Sequence, residues 1–191
     1  MNGLIIRTSR LKIRNLKESD LEAFYQYRSN PDVTRYQGYG TYSIDQAKAF
    51  IEEHKNKLML KPGEWVQYGI ENINSMQLIG DCAIYLHHSD SRIAEAGITI
   101  SHIHQRHGYA KETMLAIINF LFLEKGIHRL VETVDTENEA SIRLLKSLSF
   151  RLEGHFVENI FFKGKWGSEY QFAMLRREWE QIKPSEYIPE L

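Results

Sequence analysis

The chain has 191 residues, 42% of them hydrophobic and 26% charged, with 24 Lys+Arg against 25 Asp+Glu. That composition suits one globular domain with a full core, and a net charge of −1 excludes the basic excess of a dedicated nucleic-acid binder. One cysteine, Cys82, excludes an intramolecular disulfide, and no apolar run reaches the roughly 18 residues of a membrane span. Met1-Asn2-Gly3-Leu4 lacks the charged and apolar regions of a signal peptide, so a cytoplasmic protein is expected. The prolines are few and widely spaced, and residues 1–191 read as one domain with a core of about 11–179 and a short tail.

Leu11-Lys12-Ile13-Arg14 alternates and predicts a first strand. Ser19 and Glu22 have capping-box spacing ahead of a helix that ends near Asn30-Pro31. Ser43 and Gln46 repeat that spacing before a second helix carrying Ala47, Phe50, Ile51 and His54. Between them runs a loop with Tyr36, Tyr39 and Tyr42. Strands follow at Trp65–Ile70, Leu78–Leu86 and Ala94–Ile100, with a turn at Asn72-Ile73-Asn74-Ser75. Tyr109–Lys125 carries an apolar helical stripe, and Gly126 stands where a helix ends in a left-handed residue. A strand at Leu130–Val134, a helix at Asn138–Leu148 and strands at Leu152–Phe162 and Glu169–Leu175 complete an α/β layer pattern.

The segment with chemical content is Gln105-Arg106-His107-Gly108-Tyr109-Ala110-Lys111, which joins a strand to a long helix. Small residues there let backbone approach a ligand, and free N–H groups at a helix start favour an anion or pyrophosphate. No Gly-Lys-Ser/Thr follows and only one glycine is present, so neither a P-loop nor a dinucleotide fingerprint is formed. A plain strand-to-helix turn reads equally well from the loop alone.

Gln105-Arg106-His107-Gly108-Tyr109-Ala110 resembles the acetyl-CoA pyrophosphate loop of the GCN5-related N-acetyltransferase (GNAT) superfamily. The run from Asp135-Thr136-Glu137-Asn138 through Ala140-Ser141 to Leu145 is similar to its RimJ/RimL-like branch, the ribosomal-protein N-terminal acetyltransferases and their relatives. Leu11-x-Ile13-Arg14, Asn30-Pro31-Asp32, Leu78-Ile79-Gly80, Phe150 to Gly154 and Gly164-Lys165-Trp166 extend the likeness. The resemblance implies a mixed, mostly antiparallel sheet of about seven strands, splayed between the fourth and fifth and flanked by about four helices. It implies direct acetyl transfer from acetyl-CoA to a primary amine, without a metal. The acceptor is a protein N-terminal amine or a small amine such as a polyamine, an aminoglycoside-like or an aminoacyl compound. A non-catalytic acyl-CoA-binding module is the alternative. No nucleic-acid or membrane partner is expected, and the protein is a monomer or homodimer.

The resemblance also assigns residues. Backbone N–H groups from Arg106 to Lys111 hold the diphosphate, and Ile98, Thr99 and Ile100 pair with the pantetheine arm as an added strand would. Arg106 and Lys111 either add charge near phosphate or are solvated cations. Asn138 either caps its helix or bonds the pantetheine arm; Thr136 and Glu139 offer another capping box, which favours the second role. Many members place a tyrosine about seven residues after this Asn to protonate the thiolate. Leu144 and Leu145 stand there, leaving Ser141 as the candidate acid. Glu95 leads Glu158 as the candidate base. Tyr36, Tyr39, Tyr42, Phe161, Phe162 and Trp166 border the expected acceptor pocket. His87-His88 and His102-x-His104 lack a further ordered ligand set, so no metal site is read there.

Overall fold

The computed structural model describes residues 4–57 and 61–182. It contains one eight-stranded sheet. The strands are β1 (Ile5–Arg7), β2 (Leu11–Asn15), β3 (Trp65–Asn72), β4 (Leu78–Leu86), β5 (Ile93–Ile100), β6 (Arg129–Asp135), β7 (Arg151–Phe162) and β8 (Lys165–Leu175). Their spatial order is β1-β2-β3-β4-β5-β6-β8-β7. Every neighbouring pair is antiparallel except β5 and β6. Among the described residues six α-helices accompany the strands: α1 (Leu21–Arg28), α2 (Pro31–Thr34), α3 (Ile44–His54), α4 (Tyr109–Asn119), α5 (Glu139–Ser147) and α6 (Arg176–Ile182). The expected architecture is present, with one more strand and two more helices. β1 has three residues and α2 a single turn, too short to show a period. Counted from β2, the splay does lie between the fourth and fifth strands.

Two apolar layers clamp the sheet. α4, α5 and α6 supply Met114, Ile117, Leu145 and Trp179 to the larger cluster, which meets Ala94, Ala96 and Ile100 of β5. α1 and α3 supply Phe24, Tyr27, Ala47 and Ile51 to a smaller cluster with Leu16 and Leu78. Burial of these side chains at about 25 cal/mol per Å² drives the association of the layers.

Local chemistry sets the element ends. Ser43 and Gln46 make the expected reciprocal box, at 3.2 and 2.8 Å. Ser19 and Glu22 do not, because the chain enters α1 through a 3₁₀ turn at Glu18–Asp20. Asp20 is buried there and its carboxylate accepts from Arg14 Nη1 and Nη2, at 2.7 and 2.8 Å, and from the Lys17 N–H. The helix expected over Tyr109–Lys125 is α-helical to Asn119 and closes in a π turn at Phe120–Glu124. Gly126 follows in the left-handed region (φ 69°). At the end of α5 Ser149 takes φ 65°, and Phe150 N–H and Ser149 N–H meet the Leu145 and Lys146 carbonyls. That is the left-handed helix ending in which the resemblance expects glycine.

Gly80 fixes the seam between β4 and β5. A Cβ there would lie 2.3 Å from the Thr99 carbonyl oxygen, a backbone atom that cannot rotate away. Gly80→Ala is expected to destabilise the fold by about 1–3 kcal/mol, read as a lowered urea midpoint at unchanged slope. His54 provides a pH test. Its Nδ1 accepts the Gln67 N–H at 3.3 Å, and burial together with Lys57 lowers its pKa from 6.5 to about 4. The unfolded chain binds that proton first, so stability is full above pH 6.5 and falls as the pH drops toward 4. The melting temperature of His54→Gln should fall less than that of the parent between pH 6.5 and 4.

Candidate active site at the sheet splay

Parallel pairing of β5 with β6 lasts three residues, Ile93↔Arg129, Ala94↔Leu130 and Glu95↔Val131. β6 then stays with β8 through Asp135↔Glu169 while β5 stays with β4 through Ile100↔Gly80. A wedge opens between them. Ala96 N–H turns into it and donates to Glu132 Oε1 at 3.0 Å, whereas Ser101 N–H turns the other way to the Ile79 carbonyl. By the alternation of an antiparallel strand, Ile98 presents its N–H and C=O to the wedge. This is a free strand edge inside the molecule, able to take an extended ligand by added-strand hydrogen bonds.

Two cavities meet at this edge. One, of about 400 Å³, lies between Ile98 and the β6–α5 junction and is lined by Met114, Glu132, Asp135, Asn138, Ser141, Leu144 and Glu169 among others. The other, of about 490 Å³, lies on the α1 side and includes Arg28, Tyr39, Phe50, Trp65, Gln67, Glu95 and Thr99. Ala96, Gly97, Ile98, Glu132 and Thr133 border both. The β7–β8 hairpin arches over the first cavity. Lys163 Nζ is tied to the Thr34 carbonyl at 2.6 Å, and Lys165 to Glu137 at 3.2 Å.

The loop after β5 runs toward the start of α4. Gln105 Nε2 donates to the Ile100 carbonyl at 3.1 Å, and both Arg106 (φ 64°) and Gly108 (φ 81°) are left-handed. Among the described residues no side chain caps α4; its first ladder bond runs from Glu112 N–H to the Gly108 carbonyl at 3.1 Å. The N–H groups before Glu112 point outward, as an anion site requires. Arg106 and Lys111 are exposed and form no ion pair among the described residues. The sequence reading missed Arg10. It bonds the His107 carbonyl at 3.1 Å, pairs with Glu112 and lies 4.6 Å from the centre of the Tyr109 ring. An arginine thus braces this loop from the far end of the sequence.

The other candidates separate clearly. Asn138 and Ser141 line the first cavity. Asn138 Oδ1 accepts the Ser141 N–H at 3.2 Å, so Asn138 is itself the cap. Thr136 and Glu139 form no box, because Glu139 pairs with Arg143 along the helix. Leu144 and Leu145 occupy the lining where the resemblance expects a tyrosine. Glu95 faces the second cavity and meets His87 Nε2 at 2.8 Å. Glu158 is exposed at a bulge of β7, with φ 48°, and borders neither cavity. Of the aromatics, Tyr36 and Phe162 line the first cavity and Tyr39 the second. Tyr42 packs on Phe24 and Phe50, and Phe161 and Trp166 are exposed against one another.

Beneath the second cavity lies a buried polar cluster that sequence reasoning did not find. Asp81, fully buried, accepts from Arg28 Nη2 at 2.6 Å, Tyr27 Oη at 2.5 Å and Gln67 Nε2. Tyr39 packs over the Arg28 guanidinium at 4.1 Å, and burial raises the pKa of its hydroxyl. Burial also raises the Cys82 thiol well above its ordinary value, so the cysteine is a poor nucleophile. Among the described residues no group of three or more His, Cys, Asp or Glu side chains could hold a metal ion. No helix there is long and apolar enough to cross a membrane.

Residues 10–151 match the family model for an acetyltransferase (GNAT) domain. The chain is 32% identical over 174 residues to an uncharacterized N-acetyltransferase, YnaD, of Bacillus subtilis, covering 91% of this chain and 98% of that one. It is 23% identical to a spermidine N(1)-acetyltransferase of Vibrio cholerae over 83% of this chain and 88% of the relative. The crystal structure of a GNAT-family acetyltransferase from Bacillus anthracis superposes with a TM-score of 0.83 at 26% identity, covering 92% of this chain and all of that one. The Vibrio cholerae spermidine N-acetyltransferase, solved with CoA and spermine, has the same fold at a TM-score of 0.76, 23% identity and 91% and 99% coverage. The free strand edge, the left-handed loop and the uncapped helix start are therefore parts of a GNAT acetyltransferase, and the chain belongs to that family as an N-acetyltransferase.

Proposed function

We propose that the protein moves the acetyl group of acetyl-CoA directly to a primary amine, with the two substrates entering from the two cavities and meeting at Gly97 and Ile98. The observation that carries this reading is the shared border of the cavities at an unpaired strand edge. The pantetheine arm extends along β5 through the Ile98 backbone, and the diphosphate rests on the N–H groups from Arg106 to Lys111. Asn138 Nδ2 remains able to donate to the arm while Oδ1 caps the helix. Holding amine and thioester in attack geometry supplies much of the rate enhancement. Donors at the wedge, such as Ile98 N–H, stabilise the oxyanion.

The acceptor enters on the α1 side. Arg28 is neutralised by Asp81, which leaves Glu95 as the charged group at the mouth with Tyr39, Phe50 and Trp65 around it. A carboxylate among aromatic rings favours an incoming ammonium. The Glu95–His87 pair is placed to take up its proton. A protein N-terminal amine fits this description, as the RimJ/RimL-like motif from Asp135 to Leu145 suggests. A polyamine is the second reading, favoured by the spermidine acetyltransferases among the relatives.

Both readings are tested on one panel: spermidine, spermine, and peptides beginning with alanine or serine, with CoA release as the signal. Amine-dependent release is expected, and the acceptor with the highest kcat/KM assigns the class. Tight acetyl-CoA binding with no turnover on any amine would contradict the reading. Glu95→Gln is expected to raise KM for the amine about tenfold with acetyl-CoA binding unchanged. Gly97 provides a steric check, since no atom lies within 4 Å of a Cβ placed there. Gly97→Val should fold within about 1 kcal/mol of the parent yet lose at least roughly tenfold in kcat/KM, because its side chain fills the junction. Unchanged turnover in that variant would move the reaction elsewhere.

A further inference from the structure

One ionisable group at the junction has no part in the scheme above. Glu132 is the first β6 residue beyond the last β5–β6 pair, and its side chain sits in the apex of the wedge. It borders both cavities although only 8% of its surface is exposed. One carboxyl oxygen accepts the Ala96 N–H; the other has no hydrogen-bond partner among the described residues and is not sealed from solvent, so it opens on the cavity.

We propose that the Glu132 carboxyl, in place of the Ser141 hydroxyl, is the proton donor to the departing CoA sulfur, a role that rests on the acetyltransferase reading and fills the place left by Leu144 and Leu145. Pantetheine laid along β5 from the Gln105–Lys111 loop reaches Ile98 first and Ala96 last, which brings its thioester to this apex. The acceptor nitrogen's lone pair bonds the acetyl carbon. The carbon–sulfur bond breaks with its electron pair on sulfur, and sulfur takes the Glu132 proton. The proton shed by nitrogen leaves through the Glu95 side, and the Glu132 carboxylate is reprotonated from solvent after release. The Ala96 N–H steadies that transient carboxylate.

The surroundings keep the proton on Glu132 until it is needed. Burial raises its pKa well above the ordinary carboxyl range, and the Glu95 charge on β5 adds to the effect. Among the described residues no cation relieves it: Arg28 of α1 is held by Asp81 of β4, and His87 is bonded to Glu95. The other titratable groups around the cavities are Tyr36 and Tyr39 of the loop, Asp135 of β6 and Glu169 of β8. The folded chain therefore retains this proton at a pH where the unfolded chain has lost it. Stability falls as the pH rises past the ordinary carboxyl range, and Glu132→Gln should remove that fall.

The decisive comparison is Glu132→Gln, which still offers an oxygen to Ala96 N–H but has no proton to give, beside Glu132→Asp. In Glu132→Gln, kcat should fall about 100-fold with KM for acetyl-CoA within about threefold, and the alkaline limb of the kcat–pH profile should vanish. Glu132→Asp should restore part of kcat and the limb. A kcat within about threefold of the parent, or an alkaline limb that survives in Glu132→Gln, would overturn the proposal while leaving the acetyltransferase reading intact. A lowered kcat with equal loss in Glu132→Asp and an unchanged limb would assign Glu132 a structural role only. No amine-dependent CoA release by the parent would overturn both readings.

Discussion

Everything chemical in this protein depends on β6 keeping its bonds to β8 while giving up β5 after three residues. A sheet gains by pairing every backbone group, and unpaired buried donors and acceptors are costly. The wedge persists because both strands are held from outside: β5 by seven pairs to β4, and β6 by seven pairs to β8. Ala96 N–H finds a substitute in Glu132, and the Ile100 carbonyl finds one in Gln105. Ile98 keeps its backbone groups for a ligand. The fold thus holds an incomplete ladder, which the proposed binding of an extended acyl carrier would complete.

The second organising feature is the separation of charge. Arg28 and Asp81 are both buried, and such a pair offsets its desolvation only when its remaining hydrogen bonds are made. Tyr27 and Gln67 make them. The result is an internally neutral floor beneath the second cavity, with Glu95 on its lining. At the start of α4 the outward groups are backbone N–H dipoles braced by Arg10, and a diphosphate held there as proposed needs no strong overall positive field. A net charge of −1 is consistent with a site that recruits a polyanion locally.

The frame was readable because its signals are local. Leu78–Leu86 is bounded as the apolar run predicts, Ser43 and Gln46 cap α3 as their spacing predicts, and Gly126 ends the helical stretch. The loop from Gln105 to Lys111 could be found because glycine position and helix start leave a linear trace. Asp20 defeated the Ser19–Glu22 box because a buried ion pair with Arg14 outweighs an exposed cap, and nothing local announces such a partner. Arg10, Asp81 and Glu132 were missed for the same reason. Each acts through contacts made across the sheet or from one end of the chain to another. Glu132 in particular reads as an ordinary polar residue in a strand until β5 is seen to diverge beside it. Glu158 was a candidate because its strand is near the site, but the bulge at Phe156–Ile160 leaves it exposed.

The central claim, that the open edge of β5 is where the acyl carrier binds, is best tested by amide hydrogen exchange with and without acetyl-CoA. Binding is expected to protect Ile98 N–H and the amides from Gly108 to Lys111, with the Gly97 and Thr99 amides already slow in the free protein. Acetyl-CoA that binds without slowing Ile98, or that protects a different strand edge, would contradict it.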